Sequence, residues 1–154
     1  MINTPEITQS PKQLTAYIPV VVPRNEIQLV MGPGIMELMS TLAAQEIVPT
    51  GPWFTHHRKM DADTFDFEIS IPVATPVAEA GRVKPGERRA TKVARAIYHG
   101  PYEGLGGAWS EFMAWIAAEG HTPAPDLWEC YLAGPESGPD PSTWRTELNR
   151  PLLG

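Results

Sequence analysis

Cysteine is nearly absent from this 154-residue chain, where Cys130 stands alone. One thiol forms neither an internal disulfide nor a multi-thiolate metal site, and a reducing cytoplasm is its simplest setting. Cations are scarce as well: 12 Lys and Arg face 18 Asp and Glu, a formal net charge of −6. That balance opposes a nucleic-acid backbone and tolerates uncharged or cationic partners. Long apolar runs are missing, since stretches such as Val20 to Val22 fall far short of the roughly 20 residues a bilayer span requires. The opening Met1-Ile2-Asn3-Thr4-Pro5-Glu6 lacks the charged-then-apolar pattern of a secretory signal. The chain reads as soluble and cytoplasmic, without membrane contact or direct nucleic-acid binding.

What is abundant is punctuation. Thirteen Gly and 17 Pro make chain stops frequent and disfavour long helical bundles, while 42% apolar composition suffices for one core. Between the stops, Leu14 to Val22 and Glu26 to Met31 are short, rich in Val, Ile and Leu, and read as strands. Pro19 marks an edge or a bulge. Gly32-Pro33-Gly34 precedes a helical pattern, Ile35, Leu38, Met39 and Leu42, which predicts a helix over about 34–46. A strand is expected over Trp53 to Arg58, and Phe65, Phe67, Ile69 and Ile71 alternate with polar residues as a half-buried strand does. Residues 72–90 read as a long connection whose cations Arg82, Lys84, Arg88 and Arg89 form a solvated flap. Val93 to Tyr98 resumes as strand, and Gly100-Pro101 introduces a second helix with Leu105, Trp109, Phe112 and Ile116 on one face and Gly120 as its cap. Leu127 to Leu132 and Trp144 to Leu148 are the closing strands.

The two halves, about 14–73 and 92–152 with 74–91 between them, share this order of elements. The predicted product is a single α+β domain of duplicated strand–helix–strand–strand units, with an antiparallel-rich sheet, two helices on one side and a central ligand cleft.

Four stretches carry a more specific likeness: Ala94 to Leu105 with Tyr98-His99-Gly100-Pro101-Tyr102-Glu103-Gly104, Ala114 to Gly120, Trp128-Glu129-Cys130-Tyr131-Leu132, and Trp144 to Leu152. A weaker version covers 14–73, including Gly51-Pro52-Trp53-Phe54 and Phe67 to Val73. This ordered set resembles the GyrI-like small-molecule-binding family, which includes effector-binding domains of AraC-type and MerR-type multidrug-responsive transcription activators. The resemblance implies a duplicated fold, an aromatic-lined cleft with an acidic residue deep inside, and amphipathic, often cationic or aromatic ligands. With no helix-turn-helix or basic region ahead of the domain, it also implies a stand-alone, bacterial-type sensor or sequestering protein without a cofactor. Two other readings go with it: a hydrolase of strained, cyclopropane-type electrophiles using a Glu/Tyr pair, and a gyrase-inhibitor-like protein interaction.

Glu129 is the leading site residue. Alternation puts it mid-strand on one face with Leu127 and Tyr131, awkward for a solvated carboxylate, and the resemblance matches it to the acidic residue that reads cations. Ring faces beside it would add cation–π attraction. Tyr98 or Tyr102 could set a phenol next to it, which would supply the hydrolase pair. Trp53 and Trp144 divide between cleft and core, and the resemblance gives Trp144 an aromatic wall. Trp109 reads as helix–sheet core. His56 falls opposite Glu129 if the halves superpose at the strand after each helix. Glu147, expected on a solvent face with Arg145 and Asn149, and Glu68, on the polar face of its strand, are the rival carboxylates. Cys130 reads as a small buried hydrophobe. No metal is expected, because His99 and His121 lie far apart and no ligand spacing is present.

Overall fold

The computed structural model describes residues 2–23, 26–60, 64–133 and 138–153. In chain order the strands and helices are β1 (Glu6–Ser10), β2 (Gln13–Pro23), α1 (Ile27–Ala44), β3 (Phe54–Met60), β4 (Thr64–Pro72), β5 (Lys84–Arg88), β6 (Thr91–His99), α2 (Leu105–Ala118), β7 (Thr122–Pro123), β8 (Leu127–Ala133) and β9 (Arg145–Leu153). Short 3-10 turns, Tyr102–Gly104 and Pro141–Thr143, precede α2 and β9. The chain is thus α+β, and every pairing between its strands described below is antiparallel. Among the described residues no helix is long and apolar enough to cross a membrane.

Two compact units divide the chain: Pro11–Ala90, and Met1–Ser10 with Thr91–Gly154. In the unit spanning 11–90 the strands pair in the order β3-β4-β2-β5. Ile18 lies opposite Ile69 and Val20 opposite Phe67, so these side chains share the face that α1 covers with Leu38 and Leu42. In the other unit the order is β1-β6-β9-β8, with β7 added to the end of β9. There Ala94, Ala96, Tyr98, Leu148 and Leu152 meet Ala108, Phe112 and Ile116 of α2. Phe112 and Ile116 are fully buried, and removing such side chains from water contributes about 1.5–3 kcal/mol each.

Two expectations of the sequence are corrected. Glu26 to Met31 leads into and forms the start of α1, and Gly32-Pro33-Gly34 lies inside that helix instead of ahead of it. A short apolar run fits a strand or a buried helix equally well, and packing decides between them. Gly34 faces β4 there: a Cβ at this position would meet Ile69 Cδ1 at 2.5 Å, so a larger residue would require the end of the Ile69 side chain to shift. The connection over 72–90 contains β5, which pairs with β2 from Gln13 to Tyr17. Pro19 lies just past that pairing, where a missing N–H disrupts no ladder to β5. Nor are all of its cations a solvated flap, because the Arg88 guanidinium lies 4.7 Å from the centre of the buried Phe54 ring, whereas Arg82 stays exposed while it pairs with Glu37 at 2.8 Å.

Both helices end the same way. After α2, Gly120 N–H bonds to Ala117 and His121 N–H to Ile116; after α1, Glu46 N–H bonds to Ala43 and Ile47 N–H to Leu42. The left-handed residue is Gly120 (φ 78) in one case and Glu46 (φ 59) in the other. A side chain costs energy in that conformation. Replacing exposed Glu46 by Gly is expected to raise unfolding free energy by about 0.5–1 kcal/mol, and Gly120→Ala to lower it by a similar amount. Denaturant midpoints at unchanged m-value check both; a destabilised Glu46→Gly would contradict this account of the helix ends.

Candidate functional site

Strand alternation sets the site. In β8, Glu129 pairs with Leu148 and Tyr131 with Thr146 of β9, so both side chains share the sheet face on which α2 packs. Trp128 and Cys130 lie on the other face. On α2, the spacing of Leu105, Trp109, Phe112 and Ile116 turns Trp109 toward the same sheet, with its ring 5.6 Å from Phe112. The indole N–H of Trp109 reaches Glu129 and donates to Oε2 at 2.9 Å. The Tyr131 hydroxyl donates to Oε1 at 3.1 Å. Each carboxylate oxygen therefore has a neutral donor, and the side chain that carries the charge is buried at 8% exposure.

Removal from water disfavours the ionised form, so burial pushes the Glu129 carboxyl above its ordinary value, while the hydrogen bonds from Trp109 and Tyr131 oppose that rise. A proton or a cation arriving beside this carboxylate relieves the same strain. Further out, the Tyr102 ring stands edge-on to Tyr131 at 6.0 Å and tilts over Trp144 at 5.1 Å. The site is thus a run of rings, Trp144, Tyr102, Tyr131 and Trp109, with one carboxylate at its buried end.

The remaining candidates are placed differently. Tyr98 is buried and donates its hydroxyl to the Pro101 carbonyl at 2.8 Å, so it anchors the turn before α2, and the phenol on Glu129 is that of Tyr131. Trp53 is partly buried against the core of the 11–90 unit. In that unit Thr55 pairs with Ile69 and His57 with Phe67, which puts them on the face covered by α1. His56 is on the opposite face beside Glu68, with Nδ1 3.9 Å from Oε1. The residues matching Glu129 by face are therefore Thr55 and His57, hydrogen-bonded to each other at 3.0 Å, instead of His56. Glu68 sits on the side of its sheet away from α1.

Glu147 does not lie on a solvent face. It takes a hydrogen bond from Asn149 at 3.1 Å and lies 3.5 Å from Arg95, and Asn149 is completely buried. Both lie on the face away from Glu129, since Glu147 pairs with Cys130. Trp109 is the residue that sequence reasoning left in the core. Its signal was present: an indole N–H on a sheet-facing helix position needs an acceptor, and the one carboxylate on that strand face supplies it. Among the described residues no group of three His, Cys, Asp or Glu is arranged to hold a metal ion.

Solved structures with this fold include EcmrR in complex with DNA, at 20% identity and a TM-score of 0.86. That match covers 97% of this chain but only 57% of the other, so the chain spans little more than half of that protein. The EcmrR C-terminal domain matches at 21% identity and a TM-score of 0.82, over 97% of both chains. SAV2435 bound to tetraphenylphosphonium matches at 10% identity and a TM-score of 0.66, over 99% of this chain and 95% of the other. No curated protein matches this chain. Matched from residue 3 to residue 152, the chain belongs to the GyrI-like small molecule binding domain family.

Proposed function

We propose that this domain binds an amphipathic cation, with the Glu129 carboxylate facing its charge and Trp109, Tyr131, Tyr102 and Trp144 offering ring surface, and that it serves as a sensor or sequestering protein for such compounds. One observation carries the reading: a buried carboxylate held by two neutral ring donors, Trp109 and Tyr131, within a run of aromatic side chains. Burial makes a lone negative charge costly, so a site of this kind gains from a cation that arrives with its own apolar surface. Each ring face adds about 0.5–2 kcal/mol of cation–π attraction, the larger figure applying to desolvated contacts. The net charge of −6 favours the approach of such ligands. SAV2435, which shares the fold, binds a lipophilic cation of this class.

A second reading uses the same pair. A phenol hydrogen-bonded to a carboxyl whose pKa is raised is suited to proton transfer. Water forms a C–O bond to one carbon of a strained ring as the ring C–C bond breaks, and Glu129 takes the proton that water loses. The Tyr131 hydroxyl gives its proton to the released carbon and regains one from Glu129. Mass detection of a water adduct of a cyclopropane-containing electrophile tests it, and loss of turnover in Tyr131→Phe is expected; turnover no faster than the uncatalysed background rejects it.

For the binding reading, titration with tetraphenylphosphonium is expected to quench tryptophan fluorescence, because Trp109 and Trp144 belong to the site. Glu129→Gln should weaken that binding at least about tenfold, equivalent to about 1.4 kcal/mol. Equal affinity of the variant would remove Glu129 from its assigned role.

The raised carboxyl pKa carries a second prediction. A folded-state value above the unfolded one contributes stability at low pH that disappears as pH rises through the folded value. The stability of Glu129→Gln relative to the native chain should therefore increase from pH 4 to pH 8. Thermal unfolding across that range measures it, and a difference that falls with pH would mean the carboxylate is stabilised by its surroundings.

A further inference from the structure

We infer that the outer face of α1 is a self-association surface: two copies of this chain pair there, helix against antiparallel helix, about an axis at Met36. The outward side chains carry the argument. Leu29, Gly32, Pro33, Met36, Ser40 and Ala43 are all exposed, with Leu29 at 69% and Met36 at 72%. No charge interrupts them, because Glu37 is the one charged residue of this 18-residue helix. A surface helix ordinarily turns charged side chains to water, and a helix that is apolar on both sides is one that packs on both sides.

One side of α1 is already used, since Leu38 and Leu42 pack in the core with Ile18, Phe67 and Ile69. On the other, Leu29, Pro33, Met36, Ser40 and Ala43 follow at intervals of four, three, four and three, the spacing of a helix–helix seam about 21 Å long. That spacing is nearly the same in both directions from Met36. An antiparallel copy therefore sets Leu29 opposite Ala43 and Pro33 opposite Ser40, bulk against small side chains, with Met36 on Met36 at the axis. Gly32 adds room. A Cβ there would meet nothing within 4 Å, so packing inside the chain does not call for glycine, and the bare backbone admits a partner's side chain.

Charge selects a second copy as the occupant. Chains of net charge −6 repel one another except where no charge faces them, and this seam is such a place. Glu37 stands at its margin, one residue from the axis, and Arg82 of the same chain holds that carboxylate through Nη2 at 2.8 Å and Nε at 3.2 Å. The pair cancels the one repulsion that the axis would create. An anionic lipid surface, by contrast, finds no cation on this helix. Leu29, Met36 and Met39, with the small residues between them, expose on the order of 500 Å² per copy, so a pair buries about 1,000 Å², the size of a weak, reversible interface. Nothing in this depends on what the domain binds.

Sedimentation velocity of the native chain from about 1 to about 300 μM is the test, and the coefficient should rise from that of a monomer to that of a dimer with a Kd in the micromolar range. Met36→Glu and Leu29→Glu should each weaken pairing at least about tenfold, while Val21→Glu, at an exposed apolar side chain outside α1, should leave it unchanged. Arg82→Ala should weaken it several-fold at low salt and less at about 0.5 M sodium chloride, where charge is screened. Disulfide capture reads the register, since the native thiol, Cys130, is buried. Under mild oxidation Met36→Cys should cross-link to itself, and Leu29→Cys should cross-link to Ala43→Cys but not to itself. A native chain that stays monomeric throughout overturns the inference in favour of another kind of partner, and so does a Met36→Glu dimer as tight as the native one. Self-cross-linking of Leu29→Cys overturns the antiparallel arrangement.

Discussion

A carboxylate removed from water and held between an indole N–H and a phenol is the constraint from which the functional account follows. In bulk water Glu129 would be an ordinary solvated acid. Beneath α2, with Oε2 on Trp109 and Oε1 on Tyr131, its charge is disfavoured by burial and only partly supported by two neutral donors. Everything needed to keep it there is structural: β8 must present its odd-numbered side chains to the helix, α2 must present Trp109 to the sheet, and β9 must hold Tyr131 in register through Thr146. The lipophilic cation proposed as ligand would answer the charge and also replace water at the ring faces.

The unit spanning 11–90 shows the same grammar with different chemistry. Thr55 and His57, two residues apart on the helix-covered face of β3, bond to each other as Glu129 and Tyr131 do on β8. His57 is buried and stacked on Phe67 at 5.1 Å with Phe65 edge-on at 5.6 Å. Neither side chain of that pair is a carboxylate. The buried carboxylate of the candidate site, Glu129, therefore belongs to the unit that contains 91–154, and the corresponding pair of the other unit carries no acid.

Much of this was legible in the residues. Period-two alternation already put Leu127, Glu129 and Tyr131 on one face, although the phenol expected on the acid was that of Tyr98 or Tyr102, and helical spacing already turned Trp109 toward the sheet. Spacing names a face but not a partner, so the Trp109–Glu129 bond was missed. His56 was matched to Glu129 by superposing the two halves, but order along the chain does not fix a face, and a shift of one residue in a strand moves every side chain to the other side. In β3 it is Thr55 and His57 that lie under α1, with His56 beside Glu68 on the other face. β5, Lys84-Pro85-Gly86-Glu87-Arg88, carries no apolar alternation; its strand character comes from pairing with β2, which no local pattern records. The run before Gly32 fitted either period; it belongs to α1, whose Val30, Met31, Ile35, Leu38 and Leu42 pack in one core with Ile18, Phe67 and Ile69, a partnership no local pattern records.

The most direct measurement of the central claim is the titration of the Glu129 carboxyl itself, followed by its carbon-13 chemical shift in protein labelled at glutamate and assigned with Glu129→Gln. The account predicts a midpoint above the ordinary glutamate value of 4.5 in the free protein, moving downward when tetraphenylphosphonium is added. A midpoint at or below 4.5 that the cation leaves unmoved would contradict it.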